Sequence, residues 1–498
     1  MRWGLEGLTG QRRWSIIDTN TSVEILPGHV VSEPKVSHAV LLTSAQLARG
    51  LVRLFFGVVV ARQLGPERLG VYAVLLAMVE MLAVASGSGY ADYLTREAAK
   101  DARVGWGLAS QLTWLRLGCA VPLAAVGLGI LWVLGYPRMV LVAATWLSLS
   151  LAPRSVSEAV QGVLRGIGRY VAYLVVELAF DLALVGGVVF LLVRGGGLNV
   201  VIGTEIIAPT AATVAGVVFA LMYRPNERFR LKGKQLLEKS AIFNTYGFVA
   251  NLYDRFDIVL LSKLAGNYAT GVYSAAYRPL GTIQLVPYGV LYSILPILSR
   301  GAEAERERLE RAMGFLLSAA FVVVLVTMVY AGPAVTLLFG APYAESAIAL
   351  KILIWAVILR YVNYALNVRL LAGGHERVFV RTSLVCLGVN LIGNLILIPL
   401  YSWKGAAAIT IATEFLLLVQ NVYWLRKTVG AIPKPFGWVQ TSLVFAALVG
   451  VVLAGARSAS PLLVGSACVV FFLGYLYRTG MIGEFAQVWK GGRETVEA

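Results

Sequence analysis

Apolar runs of about twenty residues alternate with short polar stretches along the chain from residue 39 onward. A run of this length crosses the hydrocarbon core of a bilayer as an α-helix. The pattern predicts an all-α integral membrane protein with 14 transmembrane helices and polar tails at residues 1–38 and 481–498. The predicted spans are residues 39–61, 69–90, 107–134, 139–161, 170–193, 199–223, 241–263, 271–296, 312–334, 346–370, 379–400, 405–425, 437–455 and 461–479.

The charged residues predict how the chain crosses the membrane. Of 498 residues, 58% are hydrophobic and 14% are charged, and the net charge is +16. In a soluble protein this balance would suggest a nucleic-acid partner, but in a membrane protein excess Lys and Arg belong in cytoplasmic loops. The tails and alternate connections carry 27 Lys or Arg residues, and the opposite connections carry 7. We therefore predict a multi-pass protein of the cytoplasmic membrane with both termini cytoplasmic and no nucleic-acid partner. We also predict that it is a monomer.

One short motif occurs twice along the chain. The stretches "ARQLGPERLGVYAV" (61–74) and "SKLAGNYATGVYSA" (262–275) share Gly-x-x-x-x-Gly-Val-Tyr at an offset of 201 residues. Each follows an apolar run, the first and the seventh. Two further pairs occur in the same order, "LGYP" with "FGAP" at an offset of 205 and "GIGR" with "GHER" at an offset of 208. Three pairs at corresponding connections indicate an internal repeat.

The repeat predicts two six-helix bundles, at residues 39–238 and 239–430, followed by two additional helices at 431–480. Six is even, so both bundles enter from the same side and are related by a pseudo-twofold axis along the membrane normal. Two such bundles leave a central cleft, and rocking them against each other gives alternating access, which predicts a transporter. The simpler alternative is that the motif only marks the starts of helices.

Charged residues inside the predicted spans point to the substrate. A charge at the bilayer centre costs about 2.5–3.5 kcal/mol on insertion scales and usually faces a cavity. Gln46, Arg49, Arg53 and Gly57 share one face of the first span. Two cations one turn apart repel unless an anion or two acids lie opposite, and the guanidinium group suits phosphate. We therefore predict an anionic substrate, whose candidate phosphate-binding residues are Arg49, Arg53, Arg278, Arg255 and Arg360.

Amides and acids in the spans suggest two further roles. Glu177 with Asp181, and Asp254 with Asp257, are candidates for binding H⁺ or Na⁺ and coupling transport to an ion gradient. The alternative is a static network of salt bridges, such as one between Arg154 and Glu158, or between Arg116 and an acid on a neighbouring helix. The candidates for contact with sugar hydroxyls are Gln46, Asn363, Asn367, Asn390 and Asn394.

Familiar catalytic patterns are absent from the sequence. There is no Gly-x-x-x-x-Gly-Lys-Ser/Thr motif, and the three histidines lack metal-ligand spacing. No connection on the predicted outer side is long enough for a catalytic domain. We therefore predict a protein that is not an enzyme, has no metal site, and needs no cofactor apart from a coupling Na⁺ or H⁺.

Five segments resemble a known family. Besides residues 61–74, they are "QGVLRGIGRYVAYLVVE" (161–177), "DRFDIVLLSKLAGNYATGVYSAAYRP" (254–279), "LLAGGHERVFV" (370–380) and "GVNLIGNLILIPLYSWKGAAAITIATE" (388–414). Together they resemble the polysaccharide-transport branch of the multidrug/oligosaccharidyl-lipid/polysaccharide exporter superfamily, which includes the O-antigen repeat-unit flippases. The resemblance implies two six-helix bundles around a cavity and the flipping of polyprenyl-phosphate- or pyrophosphate-linked oligosaccharide. It also implies that arginines on the first and eighth helices, here Arg49, Arg53 and Arg278, meet the phosphate.

Three other functions fit the same pattern. The main alternative is an ion-coupled drug or metabolite antiporter of the same superfamily, although exporters of cationic drugs favour an acidic cavity and the first span here is cationic. A membrane glycosyltransferase or polymerase would form bonds on lipid-linked sugar. A lipid scramblase would work without a coupling ion.

Overall fold

The computed structural model describes residues 36–87, 90–225, 233–287, 290, 303–373, 375–430, 432–455 and 460–481. Every regular element in these ranges is helical. The predicted tails lie outside them, apart from residues 36–38 and 481. The α-helices are α1 (Val36–Ala85), α2 (Tyr90–Lys100), α3 (Ala102–Val133), α4 (Arg138–Ser148), α5 (Leu151–Gly166), α6 (Tyr170–Arg194), α7 (Leu198–Tyr223), α8 (Gly233–Ile283), α9 (Glu303–Phe339), α10 (Ala344–Leu353), α11 (Trp355–Ala372), α12 (Glu376–Tyr401), α13 (Trp403–Thr428), α14 (Trp438–Gly455) and α15 (Pro461–Arg478), with a 3₁₀ turn at Ala341–Tyr343.

The helices follow the predicted spans closely, and one predicted loop is wrong. The described part of every predicted span is largely helical, although the end of span 271–296 lies outside the described residues. Residues 91–106 were expected to be a loop, but α2 occupies most of them. Its buried face, with Tyr93 and Leu94, alternates with charged residues, so it is too polar and short to register as an apolar run.

The surface of the helices suits a membrane. Ten helical segments in the described chain are long and apolar enough to cross one, and the number rises to 11 if Ala341–Leu353 and Trp355–Ala372, bent by 43°, form one span. Large apolar side chains such as Trp114, Leu221 and Phe471 are exposed on these segments. Apolar surface of this extent would be a liability in water, but it matches the hydrocarbon interior of a bilayer.

The repeated glycine motif breaks two long helices at equivalent places. Gly65 in α1 has φ 71° and Gly266 in α8 has φ 87°, a left-handed conformation that glycine adopts without a steric penalty. The second glycine of each motif serves a different purpose. A β-carbon at Gly70 would overlap the backbone carbonyl of Asn267, and one at Gly271 would overlap that of Pro66. Because these contacts exchange at the offset of the repeat, the motif encodes a reciprocal contact between α1 and α8.

Helices α1–α7 pack mainly on one another, and so do α8–α13. Contacts between these two groups run chiefly along α1 and α8. The last two helices pack together and against α9, where Phe445 stacks on Phe321 with ring centroids 4.1 Å apart. The two groups of helices are therefore joined mainly by one long contact, the seam between α1 and α8.

Candidate functional site

The charged face of α1 meets acids of α6. Arg49 donates from Nε to Asp181 Oδ2 at 2.7 Å, and its Nη1 forms an ion pair with Glu177. Both acids are buried. Two acids thus lie opposite Arg49, which is one of the arrangements expected for neighbouring cations. The acid pair predicted as an ion-coupling site is held by this arginine.

Arg53 and Arg278 have no acidic partner among the described residues. The Arg53 guanidinium lies over the Phe180 ring, 5.5 Å from its centroid, and the side chain is exposed. The Arg278 guanidinium lies 5.9 Å from the centroid of Tyr72, and its buried Nε has no hydrogen-bond partner. A β-carbon at Gly57 would overlap Arg278 Nη1. The glycine on the α1 face therefore leaves room for a cation from α8.

Glu205 on α7 connects these arginines to the rest of the site. It accepts a hydrogen bond from Tyr72 Oη at 2.6 Å and pairs with Arg154 Nη2 at 3.2 Å. It also lies within electrostatic range of both Arg53 and Arg278. We call this group the arginine site, whose charged members are Arg49, Arg53, Arg154, Arg278, Glu177, Asp181 and Glu205. Its four cations exceed its three acids.

One of the salt bridges suggested as an alternative is wrong. Arg154 could have paired with Glu158 on its own helix, but it pairs with Glu205 on α7. Glu158 instead pairs with Arg116 of α3 at 2.8 Å, in line with the expectation that Arg116 reaches a neighbouring helix. Arg116 is 2% exposed. A buried cation requires a close partner, and the neighbouring helices supply better-placed acids than the next turn does.

Arg255 and Arg360 are each committed to an acid. Arg255 Nε pairs with Glu80 of α1 at 2.7 Å. Arg360 Nε pairs with Glu414 at 2.7 Å, and its Nη2 donates to Tyr277 Oη at 2.9 Å. The structure therefore brings Arg49, Arg53 and Arg278 to the arginine site but places these two predicted phosphate ligands elsewhere.

A polar cleft lies within the second group of helices, beside Arg360. It has a volume of about 140 Å³. Asn363 in its wall is fully engaged, since its Nδ2 donates to Glu414 and its Oδ1 accepts from Asn421. The cleft is lined by Tyr253, Asp254, Gln284, Arg360, Asn363, Tyr364, Asn367, Phe379, Thr382, Ser383, Cys386, Glu414 and Leu417.

The five predicted sugar-contacting amides do not form one group. Asn363 and Asn367 line the polar cleft. Asn390 and Asn394 are buried and hydrogen-bond to each other at 2.9 Å, and neither lines the cleft. Gln46 donates to Tyr173 Oη at 3.3 Å on the arginine-site side. Equal spacing along helices thus produced one amide pair that lines the cleft and one pair that is buried away from it.

The acids of α8 differ from each other. Asp254 is exposed, and its Oδ1 lies 3.9 Å from Arg360 Nη2. Asp257 is 3% exposed and accepts hydrogen bonds from Tyr273 Oη at 2.7 Å and from the Ile258 amide at 2.8 Å. It has no cationic partner among the described residues. Asp257 is therefore the predicted coupling acid whose hydrogen-bond partners are uncharged.

Sequence reasoning missed the partners that organise both sites. Tyr72 was visible only as the last residue of the repeated motif, and Glu205, Glu80 and Glu414 only as acids in apolar runs. The repeat carried a usable signal, because Tyr72 and its equivalent Tyr273 both donate to a buried carboxylate. Which carboxylate each one meets depends on helix packing.

The motif, the helices it breaks and the charged interior can be compared with known proteins. The polysaccharide biosynthesis protein family matches residues 36–302, more than half of the chain. The chain belongs to this family. This family member is 28% identical to the capsular polysaccharide biosynthesis protein CapF of Staphylococcus aureus, over 34% of its own length and 44% of CapF. It is 23% identical to the probable low-salt glycan biosynthesis flippase Agl15 of Haloferax volcanii, over 74% of its length and 79% of Agl15. The chain thus spans less than half of CapF.

Solved structures similar to this family member establish its fold. The lipid II flippase MurJ in an inward closed conformation matches with a TM-score of 0.69 and 13% identity, over 88% of this chain and 99% of MurJ. A multidrug resistance MATE family transporter of the MOP superfamily matches with a TM-score of 0.62 and 15% identity, over 78% of this chain and 98% of the transporter. The protein is a multi-pass membrane protein with the fold of the superfamily that its segments resemble.

Proposed function

We propose that the protein is a flippase that moves polyprenyl-phosphate- or pyrophosphate-linked oligosaccharide across the cytoplasmic membrane by alternating access. The observation that carries the proposal is the pair of arginines, Arg53 and Arg278, neither of which forms an ion pair with a described residue, in a site whose four cations exceed its three acids. Unpaired cations inside a membrane protein are costly unless they serve a ligand. The family of the chain and the flippase names of Agl15 and MurJ support the same function.

The arginine site suits a phosphate held on a lipid. A phosphate would be an anionic partner for Arg53 and Arg278, because the planar guanidinium group binds phosphate through two parallel hydrogen bonds. Arg49 has a different part, because its contacts are taken by Glu177 and Asp181. We therefore reduce the set of proposed phosphate-binding residues to Arg53 and Arg278, and we propose that Arg49 positions Glu177 and Asp181 behind them.

The observed helices support the proposed 14 spans. Division of α1 at Gly65 and of α8 at Gly266 gives two spans each, and the pairs α4 with α5 and α10 with α11 give one each. With α2 lying outside the bilayer, the remaining helices bring the total to 14. The bundles would comprise residues 39–238 and 239–430, with 431–480 as additional helices and both termini in the cytoplasm.

Alternating access requires contacts between the bundles that can break. Near the glycine breaks, Arg62 Nε donates to the carbonyl of Leu338 at 2.7 Å, at the C-terminus of α9. The hydroxyl of Tyr343 donates to the carbonyl of Ala61 at 2.7 Å. The equivalent of Arg62 in the repeat is Lys263, whose Nζ lies 5.2 Å from the centroid of Tyr136, just beyond α3. We propose that these contacts form an outer latch that opens to release the substrate.

Coupling to an ion gradient is assigned to Asp257. A buried carboxylate with only neutral hydrogen-bond donors can bind H⁺ or Na⁺, whereas Glu177 and Asp181 both form ion pairs with Arg49. Flipping that continues unchanged after ion gradients are collapsed would contradict this assignment and indicate a scramblase.

Binding of lipid phosphates to the purified protein in nanodiscs tests the proposed function. We expect polyprenyl phosphate to bind and polyprenol to bind much more weakly. In the Arg53→Ala plus Arg278→Ala variant we expect a loss of more than about 100-fold in affinity for polyprenyl phosphate, since each of the two charge-assisted contacts contributes about 1.5–3 kcal/mol. Arg194→Ala, which removes an exposed arginine at the end of α6, is the matched control.

Two results would contradict the proposal. Binding that ignores the phosphate would point to the antiporter, and binding that survives in the double variant would place the phosphate elsewhere. Formation of a new bond on lipid-linked sugar by the purified protein would instead indicate a glycosyltransferase or polymerase.

A further inference from the structure

We propose that the polar cleft binds an uncharged sugar unit of the substrate and rejects acidic sugars, with Asp254 as the residue that discriminates. The inference rests on the proposed function, because a sugar reaches this cleft as part of a lipid-linked oligosaccharide. It concerns a separate region, since the cleft is lined by residues of α8, α11, α12 and α13 and by Gln284, which follows α8, but by none of the arginine site.

The charges of the cleft leave no cation for an anionic ligand. Arg360 is its one lining cation, and this guanidinium is already bound to Glu414 and Tyr277. Asp254 and Glu414 are both acids, so the lining has a surplus of one negative charge. A carboxylate on the ligand would meet the exposed Asp254 without a free positive group to offset the repulsion. The arginine site has the opposite balance.

The cleft retains unused hydrogen-bonding groups. The Oδ1 atom of Asn367 is buried and has no hydrogen-bond partner. Gln284 and Ser383 also line the cleft, and their side chains form no hydrogen bond with the described residues. A buried amide oxygen without a donor is unfavourable, and a ligand hydroxyl would satisfy it. These uncharged side chains can accept and donate hydrogen bonds, and the hydroxyl groups of a neutral sugar can do the same.

Aromatic rings complete the lining. Tyr253, Tyr364 and Phe379 contribute to the walls. The face of an aromatic ring is electronegative, so it favours the weakly positive C–H groups on one face of a sugar ring. Small-molecule sites typically combine such apolar walls with a few placed polar groups. A neutral hexose or N-acetylhexosamine fits this combination better than a phosphate does.

Saturation-transfer NMR on the protein in nanodiscs, with N-acetylglucosamine and glucuronate as probes, tests the inference. We expect transfer to N-acetylglucosamine and none to glucuronate. Asn367→Leu removes the unpaired acceptor and should weaken binding of N-acetylglucosamine roughly tenfold. Asp254→Asn should allow glucuronate to bind. Asn199→Leu, an exposed asparagine on α7 outside the cleft, is the matched control and should bind like the parent protein.

The outcomes separate the two proposals. Equal binding of both sugars to the parent protein, or unchanged binding in Asn367→Leu, would overturn the cleft assignment. If Asn367→Leu does not fold, Ser383→Ala replaces it, with the same expected weakening. Polyprenyl phosphate binding is measured in parallel. If that binding is retained while no sugar binds, only the cleft assignment fails, and if it is absent from the parent protein, the proposed function fails.

Discussion

Two arginine–glutamate pairs, each with a buried glutamate, occupy corresponding places in the two halves of the repeat. Arg154 of α5 pairs with Glu205 of α7, and Arg360 of α11 pairs with Glu414 of α13. Both link the fourth and sixth predicted spans of their half. Around the first pair, Arg53 and Arg278 form no ion pair with the described residues, and the arginine site has one more cation than acids. Around the second pair, Asp254 adds negative charge.

The difference shows how one architecture produces two environments. An arginine–glutamate pair inside the membrane is neutral overall and holds two helices together. A cation without an acidic partner is unfavourable there unless a ligand supplies the negative charge. A count of charges in the spans does not separate these cases. The distinction lies in which arginines have acidic partners, and the following predictions test it, in order of expected effect.

Removal of a paired arginine should destabilise the fold most. Arg360→Met leaves Glu414 buried without its cation, and we expect a loss of about 3–5 kcal/mol in the free energy of unfolding. Arg278→Met removes a cation that has no acid, so its stability should stay the same or rise. Thermal unfolding in detergent measures both. Similar destabilisation by the two variants would contradict the distinction between an arginine that has an acidic partner and one that has none.

Equivalent substitutions in α1 and α8, at the contact that joins the two halves, should destabilise the protein equally. Gly70→Ala and Gly271→Ala each force a β-carbon into a backbone carbonyl of the other helix, and we expect each to cost about 1–3 kcal/mol. Gly281→Ala on α8 meets no atom within 4 Å and is the control, with no loss expected. Unfolding in detergent is again the measurement. A clear inequality between Gly70→Ala and Gly271→Ala would contradict the reciprocal contact.

A smaller change should affect the arginine site and spare the polar cleft. Gly57→Ala displaces the Arg278 guanidinium, and we expect polyprenyl phosphate affinity to fall roughly tenfold, or about 1.4 kcal/mol. Binding of N-acetylglucosamine should not change. Gly118→Ala on α3, which has open space around it, is the control. Unaltered phosphate binding in Gly57→Ala would argue against a role for Arg278.

The smallest effect is expected at the outer latch. Arg62→Ala removes hydrogen bonds to the C-terminus of α9, and we expect a shift of about 1 kcal/mol toward an outward-open state. Distance measurements between spin labels placed on α1 and α9 would report it. Lys263→Ala should act in the same direction but more weakly, because Lys263 contacts a ring and not a helix terminus. A shift toward the closed state in either variant would refute the latch.

Helix positions and the places where the chain breaks were predictable from the sequence. The length of an apolar run fixes a span, and the left-handed conformations at Gly65 and Gly266 are local properties that glycine allows. The repeat also put Gly70 and Gly271 at equivalent places in the motif, and in the structure these two glycines make reciprocal contacts. The amphipathic helix α2 was missed because its apolar face is short and interrupted by charges.

The pairing of charges was decided only by the tertiary structure. Arg49 and Arg53 lie one turn apart on the same face, yet only Arg49 meets acids, because α6 brings Glu177 and Asp181 to its level. Arg154 does not pair with Glu158 on its own helix but with Glu205 on α7. Spans and turns depend on neighbouring residues in the chain, whereas the balance of charge in a cavity depends on how distant helices are rotated and packed. The sequence by itself therefore determined where the membrane helices lie, and their packing decided which arginines remain for a ligand.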